Sequence, residues 1–233
     1  MVEDDKRMHG LQRNKMKKKI IFISLIFFLS GCSGLPLISQ FFNPSPQATT
    51  VGILFVDDFS ETGSGWDRFQ SEIGITDYVN EAYHIEVNQP ITDLFANPSQ
   101  SFKDSIIEVT AYKQSGPTNN SYGLICRYQD EQNFYAALIT SDGYAGIFQV
   151  KNGQYKLLGH DSMLPVPAIL GGTGSNLIHL ECIGSSLALA VNGSPVDAQQ
   201  DKSYDSGDVG LIAGTFEETG VHIVFDDLKV WQP

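Results

Sequence analysis

Apolar and polar residues alternate with a period of two through most of the chain after Val51, and no stretch there repeats apolar residues at the three- and four-residue spacing of a helix. The pattern predicts an all-β domain with very little helix. Turn chemistry divides it into hairpins: segments 133–140 and 144–150 flank Asp142-Gly143, 155–158 follows Asn152-Gly153, and 187–191 and 195–198 flank Asn192-Gly193. Asn-Gly and Asp-Gly supply the positive φ values that tight antiparallel turns require. Further strands are predicted at 53–59, 73–79, 83–88, 105–112, 122–128, 177–183, 209–216 and 221–231. About a dozen short strands with turns roughly every ten residues indicate a sandwich or a barrel.

The N-terminal region has a different pattern. Lys17, Lys18 and Lys19 precede an apolar run from Ile20 to Leu29, followed by Ser30, Gly31 and Cys32. A charged n-region, a short apolar h-region and a small-residue cleavage site make 1–31 a secretory signal peptide. The run is about half the roughly 20 residues needed to cross a bilayer core, so a stable transmembrane helix is the weaker reading. Met16 stands directly before the lysines and is an alternative start. Leu29-Ser30-Gly31-Cys32 resembles the lipobox of bacterial lipoproteins, and the resemblance implies that the Cys32 thiol is lipidated and that acyl chains hold the chain in a membrane. Segment 32–50 contains Pro36, Pro44 and Pro46, several Ser and Gln, and no charge, which reads as an extended tether. The domain itself is expected at 51–233. Ser33 stands where inner-membrane retention in some two-membrane bacteria uses Asp, so an outer surface is the expected destination.

Charge and cysteine count narrow the partners. Seven of the 15 Lys and Arg precede Cys32, against three of the 27 Asp and Glu, which leaves eight bases and 24 acids after it. That surface repels phosphate backbones, so nucleic acid is an unsuitable partner, whereas cations and neutral ligands such as glycans remain open. With Cys32 lipidated, Cys126 and Cys182 remain in an oxidising compartment, where an even pair is expected to form a disulfide; two buried free thiols are the alternative.

Val56-Asp57-Asp58-Phe59 leading to Gly65-Trp66, Tyr122-Gly123-Leu124-Ile125-Cys126-Arg127-Tyr128 with Asn133-Phe134-Tyr135, and Gly207-Asp208-Val209-Gly210-Leu211 with Phe225-Asp226-Asp227-Leu228 together resemble a concanavalin A-like jelly-roll domain. The chain is similar in particular to the lectin/glucanase and laminin-G-like modules of bacterial surface lipoproteins, and to domains grouped with 3-keto-disaccharide hydrolases. The resemblance implies two curved antiparallel sheets with first and last strands adjacent, and glycan binding on the concave face or its rim as the commonest use.

Laminarinase-type relatives carry Glu-x-Asp-x-x-Glu on one strand, because alternate residues present a nucleophile and an acid on one face. That spacing is missing here, as are a His-Glu-x-x-His helix, a Gly-x-Ser-x-Gly elbow and a phosphate-binding glycine loop. A binding role is therefore expected rather than catalysis. Alternation puts Leu124, Cys126 and Tyr128 on one face and Arg127 on the other, and Ile178, Leu180 and Cys182 opposite His179 and Glu181. If the two cysteines meet in the core, Arg127, His179 and Glu181 are expected to point outward together. Tyr135 and Tyr144 are expected to join them, with Phe134, Ala136 and Leu138 in the core. Arginine, carboxylate and aromatic groups would suit a sugar; alternatively Arg127 and Glu181 form a structural ion pair. Asp58 and Asp227 are candidate calcium ligands, since pairing of the first and last strands would bring their dipeptides together. The function expected is a membrane-anchored surface lipoprotein that binds polysaccharide or cell-wall glycan. Alternatives are a structural or protein-interaction lipoprotein and, less favoured, a sugar-processing hydrolase.

Overall fold

The computed structural model describes residues 52–233; the expected leader, Cys32 and the whole of the expected tether lie outside them. Among the described residues there are seventeen strands and no helix. Sheet A runs in the order β15 (Ser194–Gln200), β14 (Ser186–Val191), β13 (Asn176–Ile183), β7 (Ser105–Ser115), β17 (Val221–Trp231), β4 (Ala82–Val87), β3 (Gly74–Val79) and β2 (Phe69–Ser71). β1 (Ile53–Asp57) pairs with the second half of β17, so the first and last strands are neighbours. Sheet B runs β11 (Gln154–Leu157), β10 (Tyr144–Lys151), β9 (Asn133–Ile139), β8 (Asn120–Asp130), β16 (Gly207–Thr215) and β5 (Thr92–Ala96). Two short strands complete it, β12 (Leu164–Pro165) on β10 and β6 (Ser101–Phe102) on β16. This is the antiparallel jelly-roll sandwich that the sequence predicts.

The turns follow from their residues. Asn152-Gly153 and Asn192-Gly193 both hold positive φ at each position, the geometry that matches the twist of a two-residue hairpin. At Asp142-Gly143 only the glycine has positive φ, and Thr140 and Tyr144 close a wider loop through Thr140 N to Tyr144 O at 2.9 Å. Asp142 there accepts from the Thr140 hydroxyl instead of taking the left-handed conformation.

Inward residues of the two sheets interdigitate in one core: Ile107, Val109, Ile178, Leu180 and Phe225 from sheet A meet Leu124, Tyr135, Ala137, Val209 and Leu211 from sheet B. The expected disulfide is present: Cys126 on β8 is bonded to Cys182 on β13, so the bridge ties sheet to sheet through the core. It closes a loop of 56 residues in sequence separation, worth about 4 kcal/mol in the chain-entropy account of cross-linking. Phe59, Trp66, Tyr78 and Tyr83 close one end of the core, with the Trp66 indole donating to Asp57 at 2.9 Å.

Sheet B differs from sheet A in being apolar on both faces. A second cluster of Ile125, Phe134, Ala136, Leu138, Val150 and Ile212 lies on its outer side, flanked by Phe95, Tyr128, Phe148 and Met163. In β9 every residue from Phe134 to Ile139 is buried, alternately in the two clusters.

Candidate functional site

Of the five residues proposed from sequence to make a ligand face, the structure does not bring the set together. The reason is the disulfide. Because Cys126 and Cys182 meet across the sandwich, the outward faces of β8 and β13 point in opposite directions.

Arg127 corrects the alternation argument further. The β8 register shifts after Cys126, and Arg127 adopts a left-handed backbone (φ 52°) in the resulting bulge. Its side chain is 2% exposed; the guanidinium donates to the carbonyls of Lys103 (3.2 Å) and Tyr204 (2.9 Å) and to Asp104 Oδ1 (3.3 Å). The bulge also sends Tyr128, expected beside Leu124 and Cys126, to the outer side of sheet B. Tyr135 is in the main core, where its hydroxyl donates to Asp201 and accepts from the Ser203 N–H at 3.0 Å. Arg127 and Tyr135 therefore fasten the segment around 201–204 to the sandwich rather than face solvent.

His179 and Glu181 do point outward, from sheet A. The His179 ring stands between Glu108 (2.8 Å) and Glu181 (3.1 Å), so Glu181 pairs with His179 rather than with Arg127. Beside them Ala188, Ala190, Pro195 and Ala198 floor a shallow groove of about 430 Å³. Tyr144 is exposed at the start of β10, next to β12.

At the paired first and last strands, Asp58 and Asp227 line one cleft of about 360 Å³ together with Asp57 and Glu61. Asp57 points inward and accepts from the Phe59 N–H and the Trp66 indole. Asp58 accepts from the N–H and hydroxyl of Ser60, bonds that hold its carboxyl below the usual carboxylate range. Among the described residues no three His, Cys, Asp or Glu side chains are gathered as metal ligands.

The outer face of sheet B gathers the groups that sequence reasoning missed. Phe95 and Phe134 stand 5.8 Å apart, although β16 and β8 separate their strands, which marks the hollow side of a curled sheet. Tyr128 packs on both at 5.7 and 5.8 Å, and Tyr155 on Phe134 at 6.2 Å and on Phe148 at 6.3 Å. Glycines make room for this. A Cβ at Gly146 would meet Leu157 and Phe148, one at Gly210 would meet Asn97, and one at Gly214 would meet Asp93. Rings and polar side chains from neighbouring strands lie over those positions.

The result is an aromatic platform with its rings partly open. Tyr155 remains 41% exposed while its hydroxyl lies near Asp93, on the opposite edge strand. Burial pushes the Tyr155 hydroxyl up, with Asp93 adding to the shift, and burial pushes Asp93 up as well. Tyr128 is pushed up to about 12 by burial and by the carboxylates of Glu131, Asp67, Asp130 and Asp208. Asp208 itself is pushed up to about 6 by burial, against bonds it accepts from the Gln100 and Val209 N–H groups. Stacked rings beside carboxylates can hold the apolar face of a sugar ring and accept from its hydroxyls.

A sequence signal for this face existed. An uninterrupted apolar run such as Phe134 to Ile139 belongs to a strand buried on both sides, whereas a strand with one wet face alternates.

No protein-family model matches the chain, and no curated protein does. Solved structures do. The carbohydrate-binding module CBM66 from Bacillus subtilis superposes with a TM-score of 0.60 at 18% identity, covering 72% of this chain and 96% of that one. A Bacillus subtilis protein of unknown function with a galectin-like fold gives 0.55 at 12% identity, covering 78% and 96%. The catalytic domain of an endo-1,3-β-glucanase (laminarinase) from Thermotoga petrophila gives 0.54 at 10% identity, covering 78% and 98%. The chain thus has the concanavalin A-like jelly-roll fold, which carbohydrate-binding modules and glucanases share.

Proposed function

We propose that this protein is a lipid-anchored surface lipoprotein whose sandwich binds a carbohydrate on the outer face of sheet B, with Tyr128, Phe148 and Tyr155 as stacking rings. The observation that carries the reading is the aromatic platform itself: six strands converge their largest side chains on a face that packs against no second sheet. Among the described residues the outer face of sheet A carries no comparable cluster of rings, and His84, His179, His222 and Glu181 lie there beside Leu177 and Val224. The likeness to a carbohydrate-binding module supports the same reading. Anchoring rests on the Leu29-Ser30-Gly31-Cys32 motif, which lies outside the described residues.

The test is a glycan array probed with the compact unit Gln47–Pro233. Specific binding is expected, and Tyr155→Ala should weaken it roughly tenfold, the worth of one stacking contact. Silence across a broad array, or full binding by Tyr155→Ala with the fold intact, would refute the reading and favour a protein-interaction role. Loss of fatty-acid labelling in Cys32→Ala checks the anchor.

A further inference from the structure

Within the platform, Asp93 is an unusual group. Its side chain lies across Gly214, where no side chain fits, and its carboxylate lies near the Tyr155 hydroxyl from the far edge of the sheet. Among the described residues no Lys, Arg or His pairs with it. A half-buried carboxylate without a cation is costly to keep charged, and burial accordingly pushes Asp93 up. The charges that bear on Tyr128 and Tyr155 are carboxylates too: Glu131, Asp67, Asp130 and Asp208 on the first, Asp93 on the second.

A second observation, just beyond the end of the strand β5 that carries Asp93, points the same way. Asn97, two positions beyond Phe95, is 4% exposed, with its side chain over Gly210. Its Nδ2 donates to the Val209 carbonyl at 2.6 Å, but its Oδ1 has no partner. That oxygen is a buried acceptor left over beneath a face already rich in acceptors. Such a face asks for donors, and the strongest donor that a sugar carries is an ammonium group.

We propose that the glycan bound by this platform carries free amino groups, and that Asp93 is the carboxylate that receives the ammonium. The inference rests on the glycan-binding reading above and narrows it to amino sugars without N-acetylation. The long-range field agrees, since eight bases against 24 acids after Cys32 disfavour anionic glycans and draw cationic ones.

Three hexamers with one β-1,4 backbone separate the classes: glucosamine, N-acetylglucosamine and glucose, which differ only in an ammonium, an acetamide or a hydroxyl. Calorimetric titration would use the processed chain from Cys32 to Pro233, made with Cys32→Ala, at mildly acidic pH where glucosamine is charged. The glucosamine hexamer is expected to bind at least about tenfold more tightly than the other two, the worth of one charge-assisted bond. Asp93→Asn should abolish that preference while keeping the shape of the side chain. Asp161→Asn, which removes an exposed charge elsewhere, should preserve it and so exclude general attraction by an acidic surface. Equal binding of the three hexamers, binding of none of them, or a preference that survives Asp93→Asn would each overturn the inference. The three-ligand comparison on the unmutated side chains needs no variant to fold. Binding of other, neutral glycans on the array would leave the broader reading standing; no glycan binding at all would remove both.

Discussion

On the outer face of sheet A, His179 is held between Glu108 and Glu181, and His84 Nδ1 meets His222 Nε2 at 2.8 Å with Glu86 beyond. On the outer face of sheet B, Phe95, Tyr128, Phe134 and Phe148 sit among glycines and meet one another or Tyr155 ring to ring. The two faces share one core and one disulfide, yet the first is built around paired polar side chains and the second around packed rings.

The largest test of that contrast is a pair of truncations. Phe134→Ala should cost about 3–5 kcal/mol in urea unfolding, because Phe134 is fully buried although it lies outside the inter-sheet core. His179→Ala, at the centre of the opposite face, should cost no more than about 1 kcal/mol, as partly exposed polar contacts do. Equal costs would mean that the two faces are energetically alike.

Next in size is the bridge that joins the sheets. Removing it with Cys126→Ser and Cys182→Ser together should lower stability by about 2–4 kcal/mol. The platform should survive under native conditions, because its rings belong to sheet B alone. Glycan binding by the double variant at moderate temperature checks this.

The smallest effect is in pH, and the faces should differ in sign. Asp208, at the platform, has its carboxyl pushed up to about 6 by burial. Its contribution is present below the unfolded value near 4 and is lost as pH rises through 6, so Asp208→Asn should melt higher than the parent at pH 7 and alike at pH 4. Burial lowers both His84 and His222, and the neighbouring His222 lowers His84 further. Their contribution is present above the ordinary histidine value of 6.5 and is lost as pH falls, so His222→Asn should flatten the decline between pH 7 and 5. Melting curves across pH 4–8 that moved both variants the same way would break the contrast.

Much of the fold was legible before any coordinates. Alternation and Asn-Gly turns placed the longer strands of both sheets except β5, the pairing of the first and last strands was implied by the family resemblance, and the two cysteines expected to remain after lipidation of Cys32 pointed to the bridge. Strand β5, between Pro90 and Pro98, was not visible, because five residues flanked by prolines carry too little periodicity. It supplies Asp93 and Phe95 and leads directly into Asn97, so the platform could not be assembled without it. Arg127 failed for another reason. Strict alternation sends it outward, and only the pairing of β8 with β9 and β16 shows the bulge that turns it in.

By itself the sequence determined what is local: where strands run, where the chain reverses, which cysteines remain to pair, and that the domain is strongly acidic. Those properties depend on neighbouring residues and on composition. The tertiary structure alone decided which apolar set of β9 faces the core and which forms the platform, since both sets are equally apolar and register has no local marker. It also decided that Asp93 and Tyr155, 62 positions apart, meet across the hollow. That contact arises from the curl of the sheet, a property of six strands together and of none of them alone.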